Sequence, residues 1–208
     1  MKVKLLNITP DAERHIVEVA RVSSSRENKK ENYESLVKYL IVNKHWSPFE
    51  HSFMTFEIET SKAIAIQLLR HRSFTFQEFS QRYQDVNQLG EMFEPVELRY
   101  QAANNRQSST EPVESSVLDG KVKMVLAACE QLYNNLIECG VSRETARMIL
   151  PMTTKTKIHM SGSVRSWIHF LDIRDDTHAQ LEIQMIAKII KAIFAEQLPS
   201  IGRALKFN

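Results

Sequence analysis

Between residues 49 and 83 the chain changes character twice, and these changes limit what it can fold into. FEHSFMTFEIE alternates apolar and polar side chains, which predicts a strand with one buried face. From Ser61, AIAIQLL is apolar on nearly every side, which predicts a buried helix whose one polar interruption is Gln67. A buried amide needs partners. RHRSFTFQEFSQRY, residues 70–83, then crowds three arginines, a histidine, a glutamate, two serines and a tyrosine behind that helix. Gln67, Arg70 and His71 stand at i, i+3 and i+4, so the spacing predicts one shared face near the helix end. Such charges either form a solvated basic edge, the usual habit of arginine, or emerge from the core to meet a bound anion or a neighbouring subunit.

The rest of the chain predicts long helices and a few strands. MKVKLLNI opens as a strand, and Thr9 with Pro10 starts a helix carrying Ile16, Val17 and Ala20. Tyr33, Leu36, Val37 and Leu40 form the inner face of a second helix, which runs into the His45 to Pro48 break. Residues 101–116 hold almost no large apolar side chains and predict an exposed, mobile loop. Leu118, Val122, Val125, Leu126, Cys129, Tyr133 and Leu136 trace a long amphipathic helix stopped by Gly140. Ser142 caps a short helix that sets Arg143 and Arg147 on one face and ends at Pro151. KTKIHMS predicts a strand. A Ser161, Gly162, Ser163 turn then leads into VRSWIHFLDIR, whose N-terminal amides would be free. Thr177 with Gln180 resembles a capping box, and Ile183, Ile186, Ile190 and Ile193 form the stripe of the last helix.

Composition removes several function classes. Lysine plus arginine is 27 against 25 acidic residues, and a net charge of +2 gives no general pull toward nucleic acid or membrane. An anion site must therefore be local. The 5 glycines are scattered singly, so neither a dinucleotide fingerprint nor a phosphate loop can be built. The start has no signal-like apolar run, and no segment reaches the roughly 20 apolar residues of a membrane span, so a cytoplasmic protein is expected. Cys129 and Cys139 lie about 15 Å apart if helical, too far for a disulfide, and reduced thiols are expected. Neither thiol has the cationic surroundings of a nucleophile. No histidine pair has metal-hydrolase spacing, and no metal is expected.

With RHR at 70–72, then Ser80, Arg82 and Tyr83, the segment resembles the signature of the flavin-dependent thymidylate synthases. The likeness extends to ARVSS near Ser23, the HWSPFEH turn, Gln67, SRETARMILP around Arg147 and SVRSWIHFLDIRDDTHAQ. The resemblance implies an α+β fold, a single domain over 1–208 with a mixed or antiparallel sheet packed against long helices, in agreement with the elements above. It implies reductive methylation of dUMP to dTMP, with 5,10-methylenetetrahydrofolate giving the carbon, FAD carrying hydride and NADPH reducing the flavin. A homotetramer with shared active sites follows from it, as does the absence of a covalent enzyme nucleophile.

By motif position, the resemblance puts Gln67, Arg70, Glu78, Phe79, Ser80, Gln81 and Arg82 in the dUMP site, with Arg147 from another subunit. It puts Arg174 against the uracil ring as the catalytic cation, where a fixed charge favours the ionised imide. For FAD it implies Ser23, His45, Ser47, Glu50, Arg70, His71, Arg72, Gln77, Glu78, Ser163, Val164, Arg165, His169 and His178. Gln77, Ser163 and His169 depart from the asparagine frequent at those positions, though each still forms hydrogen bonds. Two rivals remain: a basic RNA-binding module stacking bases on Phe74, Phe76 and Tyr83, and a flavin oxidoreductase that binds a nucleotide without methylating it.

Overall fold

The computed structural model describes residues 1–23 and 33–207. Ser24, the last residue of the ARVSS motif, lies outside them. The chain is an α+β protein, as expected. In order it forms β1 (Lys2–Ile8), α1 (Ala12–Arg21), α2 (Tyr33–Val42), a 3-10 turn at Ser47–Glu50, β2 (Phe53–Ser61), α3 (Lys62–Leu68), β3 (Phe74–Glu78), β4 (Arg99–Gln101) and β5 (Ser109–Pro112). There follow α4 (Ser116–Glu138), α5 (Arg143–Ala146), β6 (Lys155–Ser163), α6 (Val164–Arg174), α7 (Leu181–Gln197) and α8 (Pro199–Leu205). An antiparallel sheet of order β1-β2-β6-β3 is the main one; β4 and β5 pair separately. No described helix is long and apolar enough to cross a membrane.

Packing divides the chain into two interleaved units. The first takes Met1–Lys2, Glu59–Arg70 and Gln77–Ile158; the second takes Val3–Ile58, His71–Phe76 and His159–Asn208. The second unit is centred on Trp167, whose ring lies 4.6 Å from Phe74, 4.8 Å from Phe56 and 5.6 Å from Phe170, all edge-on. These geometries suit aromatic quadrupoles. Its indole N–H donates to the Met54 carbonyl at 3.0 Å, so the largest side chain of this core has no unpaired donor. Glu13 of α1 is buried and accepts from the amides of Ser200 and Ile201 at 2.7 and 2.8 Å, closing the N-terminus of α8. In the first unit, Val86, Met92, Tyr133 and Ala146 form a smaller core. Only Tyr133 of the long α4 is buried.

Several local expectations are corrected. Thr9 does not start α1: its hydroxyl accepts from the Phe53 amide at 2.9 Å, and the helix begins after Asp11. Residues 49–51 lie in the 3-10 turn and its end, so β2 starts only at Phe53. Helix α3 is not buried all round, since Ile66 and Leu69 are exposed, and it ends at Leu68, before Arg70 and His71. Residues 101–116 are not one open loop. Gln101 Nε2 donates to the backbone carbonyls of Asn105 and Ser108, and this side chain helps hold the β4–β5 hairpin.

No turn occurs at 161–163, because β6 runs through Ser163. A Cβ on Gly162 would stand 2.5 Å from the Phe74 ring, so glycine is there for close approach. Thr177 is not the cap: Gln180 is the N-cap of α7, with no side-chain cap hydrogen bond, and the preceding loop is tied by Asp176 accepting from the His178 amide at 2.7 Å. Helix α7 is not the last helix, because Pro199 begins α8.

Candidate active site

The signature segment is divided between the units: Arg70 and residues 77–83 belong to the first, His71–Phe76 to the second. Its candidate residues form two groups.

In the first unit, Glu78 ends β3 and its Oε1 accepts from Lys62 Nζ and Thr156 Oγ1, each at 2.8 Å. The amide of Phe79 donates to the Lys157 carbonyl, and a tight turn follows in which Tyr83 and Gln84 donate to the Ser80 carbonyl. This turn buries Gln81, whose Nε2 has no hydrogen-bond partner among the described residues. An orphaned buried donor is costly, so it marks where an acceptor belongs. The exposed Arg82 donates to the Glu144 carboxylate and Arg147 Nε to the Glu144 carbonyl, both at 3.4 Å. Arg143, which had no assigned role, donates to the Tyr83 carbonyl at 3.4 Å. Three guanidinium groups therefore gather round this turn. Gln67 is half-buried in α3, and Arg70 and Gln77 are exposed.

In the second unit, Arg174 Nε donates to His71 Nε2 at 2.9 Å. An accepting Nε2 leaves the ring proton on Nδ1. Burial first, then the charge of Arg174 and then His169, lower His71 to about 4, so the ring is neutral at pH 7. The ring also lies edge-on to Phe170 at 5.0 Å. Burial likewise lowers Arg174, which is half-buried at the last turn of α6. With Nε spent on His71, its two terminal nitrogens have no partner among the described residues. That is a fork held at one end.

Nearby in sequence but separate as a feature, a cleft of about 960 Å³ is lined by Glu50, Ser163, Arg165 and His169, with Trp46, Phe53 and Phe207 as apolar wall. Glu50 and Arg165 are ion-paired. The first amides of α6 are not free as expected. Val164 donates to the Ser52 carbonyl at 2.8 Å, and Ser166 donates to the Ser163 hydroxyl at 3.2 Å. Ser163 is thus used as the helix cap, and the Val164 side chain is buried.

The remaining flavin candidates do not line this cleft. His45 lies edge-on to Tyr39 at 5.8 Å, and Ser47 is exposed at the start of the 3-10 turn. Ser23 bonds the Ala20 carbonyl at the end of α1. His178 is held by Asp176 through a 2.6 Å side-chain bond; the His178 amide first, and then this side-chain bond, lower the Asp176 carboxyl. Arg72 is exposed.

Lys62, Thr156, Trp46 and Phe207 escaped the sequence reading. Trp46 had a signal in the HWSPFEH turn; Lys62 at the start of α3, Thr156 near the start of β6 and Phe207 after α8 sit outside any motif. Phe74 is buried against Trp167, which removes it from the base-stacking surface that the RNA-binding rival needs.

The cleft suits FAD on its donor set. Cationic Arg165, the His169 ring and the serine hydroxyls can meet a pyrophosphate and ribose, and the aromatic wall suits flat apolar rings. The class defined by fold and site is an α+β protein with an arginine-rich candidate site and, in its sequence, no glycine-rich phosphate loop. Residues 4–200 match the model of the thymidylate synthase complementing protein family. A probable flavin-dependent thymidylate synthase of Paramecium bursaria Chlorella virus 1 is 42% identical over 99% of both chains. Flavin-dependent thymidylate synthases of Synechocystis sp. and Thermus thermophilus are 41% and 35% identical, each over 90% of this chain and over 86% and 69% of their own. The chain belongs to the flavin-dependent thymidylate synthase family.

Proposed function

We propose that this chain converts dUMP to dTMP by reductive methylation, using 5,10-methylenetetrahydrofolate as carbon donor and NADPH as reductant. The observation that carries the reading is the cleft of about 960 Å³, four of whose lining residues are positions the family resemblance implies for FAD. FAD bound there would supply hydride-transfer chemistry. Glu50, Ser163, Arg165 and His169 would hold it there; Ser23, His45, Ser47, Arg70, His71, Arg72, Gln77, Glu78, Val164 and His178, which do not line the cleft, stay in the FAD set only as what the family resemblance implies.

Arg174 is the proposed catalytic cation. Anchored through Nε by a neutral histidine, it can offer two N–H groups to a uracil carbonyl and stabilise negative charge on the imide. For the nucleotide, Arg82 and Arg147 suit a phosphate dianion, Ser80 adds a hydroxyl, and the Gln81 amide supplies a donor that has no other partner. Gln67, Arg70, Glu78 and Phe79 complete the proposed dUMP set. No enzyme thiol is needed: Cys139 is at the C-terminal end of α4, where the helix dipole disfavours a thiolate, and Cys129 lies mid-helix.

We further propose a homotetramer sharing active sites, with Arg147 acting in a neighbouring subunit. Exposed Val117, Leu118, Met124, Val125 and Leu132 on α4 favour such assembly. Interleaving of its two units favours one domain over 1–208. Two free cysteines fit a cytoplasmic setting.

An absorbance spectrum of the purified protein, with and without dUMP, tests the reading. A flavin band that shifts on adding dUMP, together with dTMP formation once folate and NADPH are present, is the expected result. Protein that takes up no FAD overturns it, and a dUMP-sensitive flavin without dTMP formation favours the oxidoreductase.

A further inference from the structure

Two donors that no motif singles out converge on one oxygen of Glu78. Lys62 Nζ and Thr156 Oγ1 both lie 2.8 Å from Oε1, while Oε2 has no partner among the described residues. The Lys62 and Glu78 side chains are only 29% and 21% exposed, and Thr156 is fully buried. Their backbones are held as well. Lys62 and Ala63, the first residues of α3, donate to the carbonyls of Thr154 and Met152 at 2.9 and 3.0 Å, and Phe79 donates to Lys157 at 2.8 Å. A glutamate side chain otherwise loses considerable rotamer freedom when it is ordered. Two charge-assisted bonds on one oxygen select its orientation before any ligand arrives.

We propose that Lys62 and Thr156 are positioning residues for Glu78. By tying Oε1 they leave Oε2 as a fixed acceptor for an N–H or O–H donor of a bound ligand, either the pyrimidine nucleotide or the flavin. This rests on the reading of Glu78 as a site residue of a flavin-dependent thymidylate synthase. Lys62 does not touch the ligand; its effect passes through the carboxylate.

The test is a double-mutant cycle on the FAD-loaded full chain with Lys62→Met, Lys62→Arg, Thr156→Val, Glu78→Gln and the Lys62→Met, Glu78→Gln pair. FAD affinity is read by fluorescence, dUMP affinity by the flavin absorbance shift, turnover by dTMP formation and folding by thermal melting. Lys62→Met should weaken whichever ligand Glu78→Gln weakens, by on the order of tenfold. Its melting temperature should stay near wild type. Lys62→Arg should restore most of the loss, Thr156→Val should act in the same direction, and the pair should behave like Glu78→Gln alone. The separate FAD and dUMP affinities tell which ligand Oε2 serves.

Fully additive losses overturn the proposal. So does a dUMP-affinity loss that persists undiminished in the Glu78→Gln background, because it puts Lys62 on the nucleotide itself. Wild-type affinities and turnover in Glu78→Gln would remove Glu78 from the site and end the proposal while leaving the enzyme reading intact. Wild-type protein without FAD or dTMP formation would end the enzyme reading. Should Lys62→Met not fold, Lys62→Gln and Thr156→Val complete the cycle.

Discussion

The bond from Arg174 Nε to His71 Nε2 sets two expectations at the residue level. Because His71 titrates near 4 when folded against 6.5 when free, the unfolded chain gains a proton in that window before the folded chain does. Stability therefore falls as pH drops from 6.5 toward 4. Thermal melts should show this decline more steeply in wild type than in His71→Asn, and parallel curves would contradict it. Arg174→Ala should retain FAD, read by its absorbance, while losing about 100-fold or more in dTMP formation, the range for one preorganised donor to a developing charge. Undiminished turnover would show that another group activates the base. The pairing itself was not legible from sequence. His71 and Arg174 were each marked by motif, but a bond between residues so far apart in the chain depends on how α6 and the segment before β3 pack.

Helix and strand boundaries depended on partners that local patterns do not contain. Gly140 stops α4 as expected, at φ 81, because the chain needs a left-handed residue after Cys139. Thr9 and Thr177 looked like helix starts, yet tertiary hydrogen bonds claimed Thr9 and an Asp176 loop replaced the second cap. The opposite case is α8, whose buried N-terminus is closed from α1 by Glu13. Glu13→Gln should weaken that closure and cost roughly 1.5 to 3 kcal/mol, the range for a hydrogen bond to a charged group. A chemical denaturation series would measure the loss as a lower midpoint at unchanged slope. An unchanged midpoint would mean that the two amides are served equally well by a neutral oxygen.

For the molecule as a whole, the long α4 raises the question of what covers its apolar residues. Met124 is 66% exposed and Val125 55%, and a single folded chain gains nothing from leaving both in water. Charged substitutions at both positions should shift the protein to a smaller species in size-exclusion chromatography with light scattering, and should reduce turnover if Arg147 acts across subunits. A wild-type monomer would count against the shared-site proposal. The sequence alone determined the α+β class, most helices, the arginine-bearing segment and the family, because hydrophobic period and motif spacing are local properties of the chain. Tertiary structure alone decided that Arg174 rests on His71, that Lys62 and Thr156 meet on Glu78, and that Phe74 belongs to the core. Those outcomes join residues far apart in the chain, and their energies come from burial and hydrogen bonding that only packing creates.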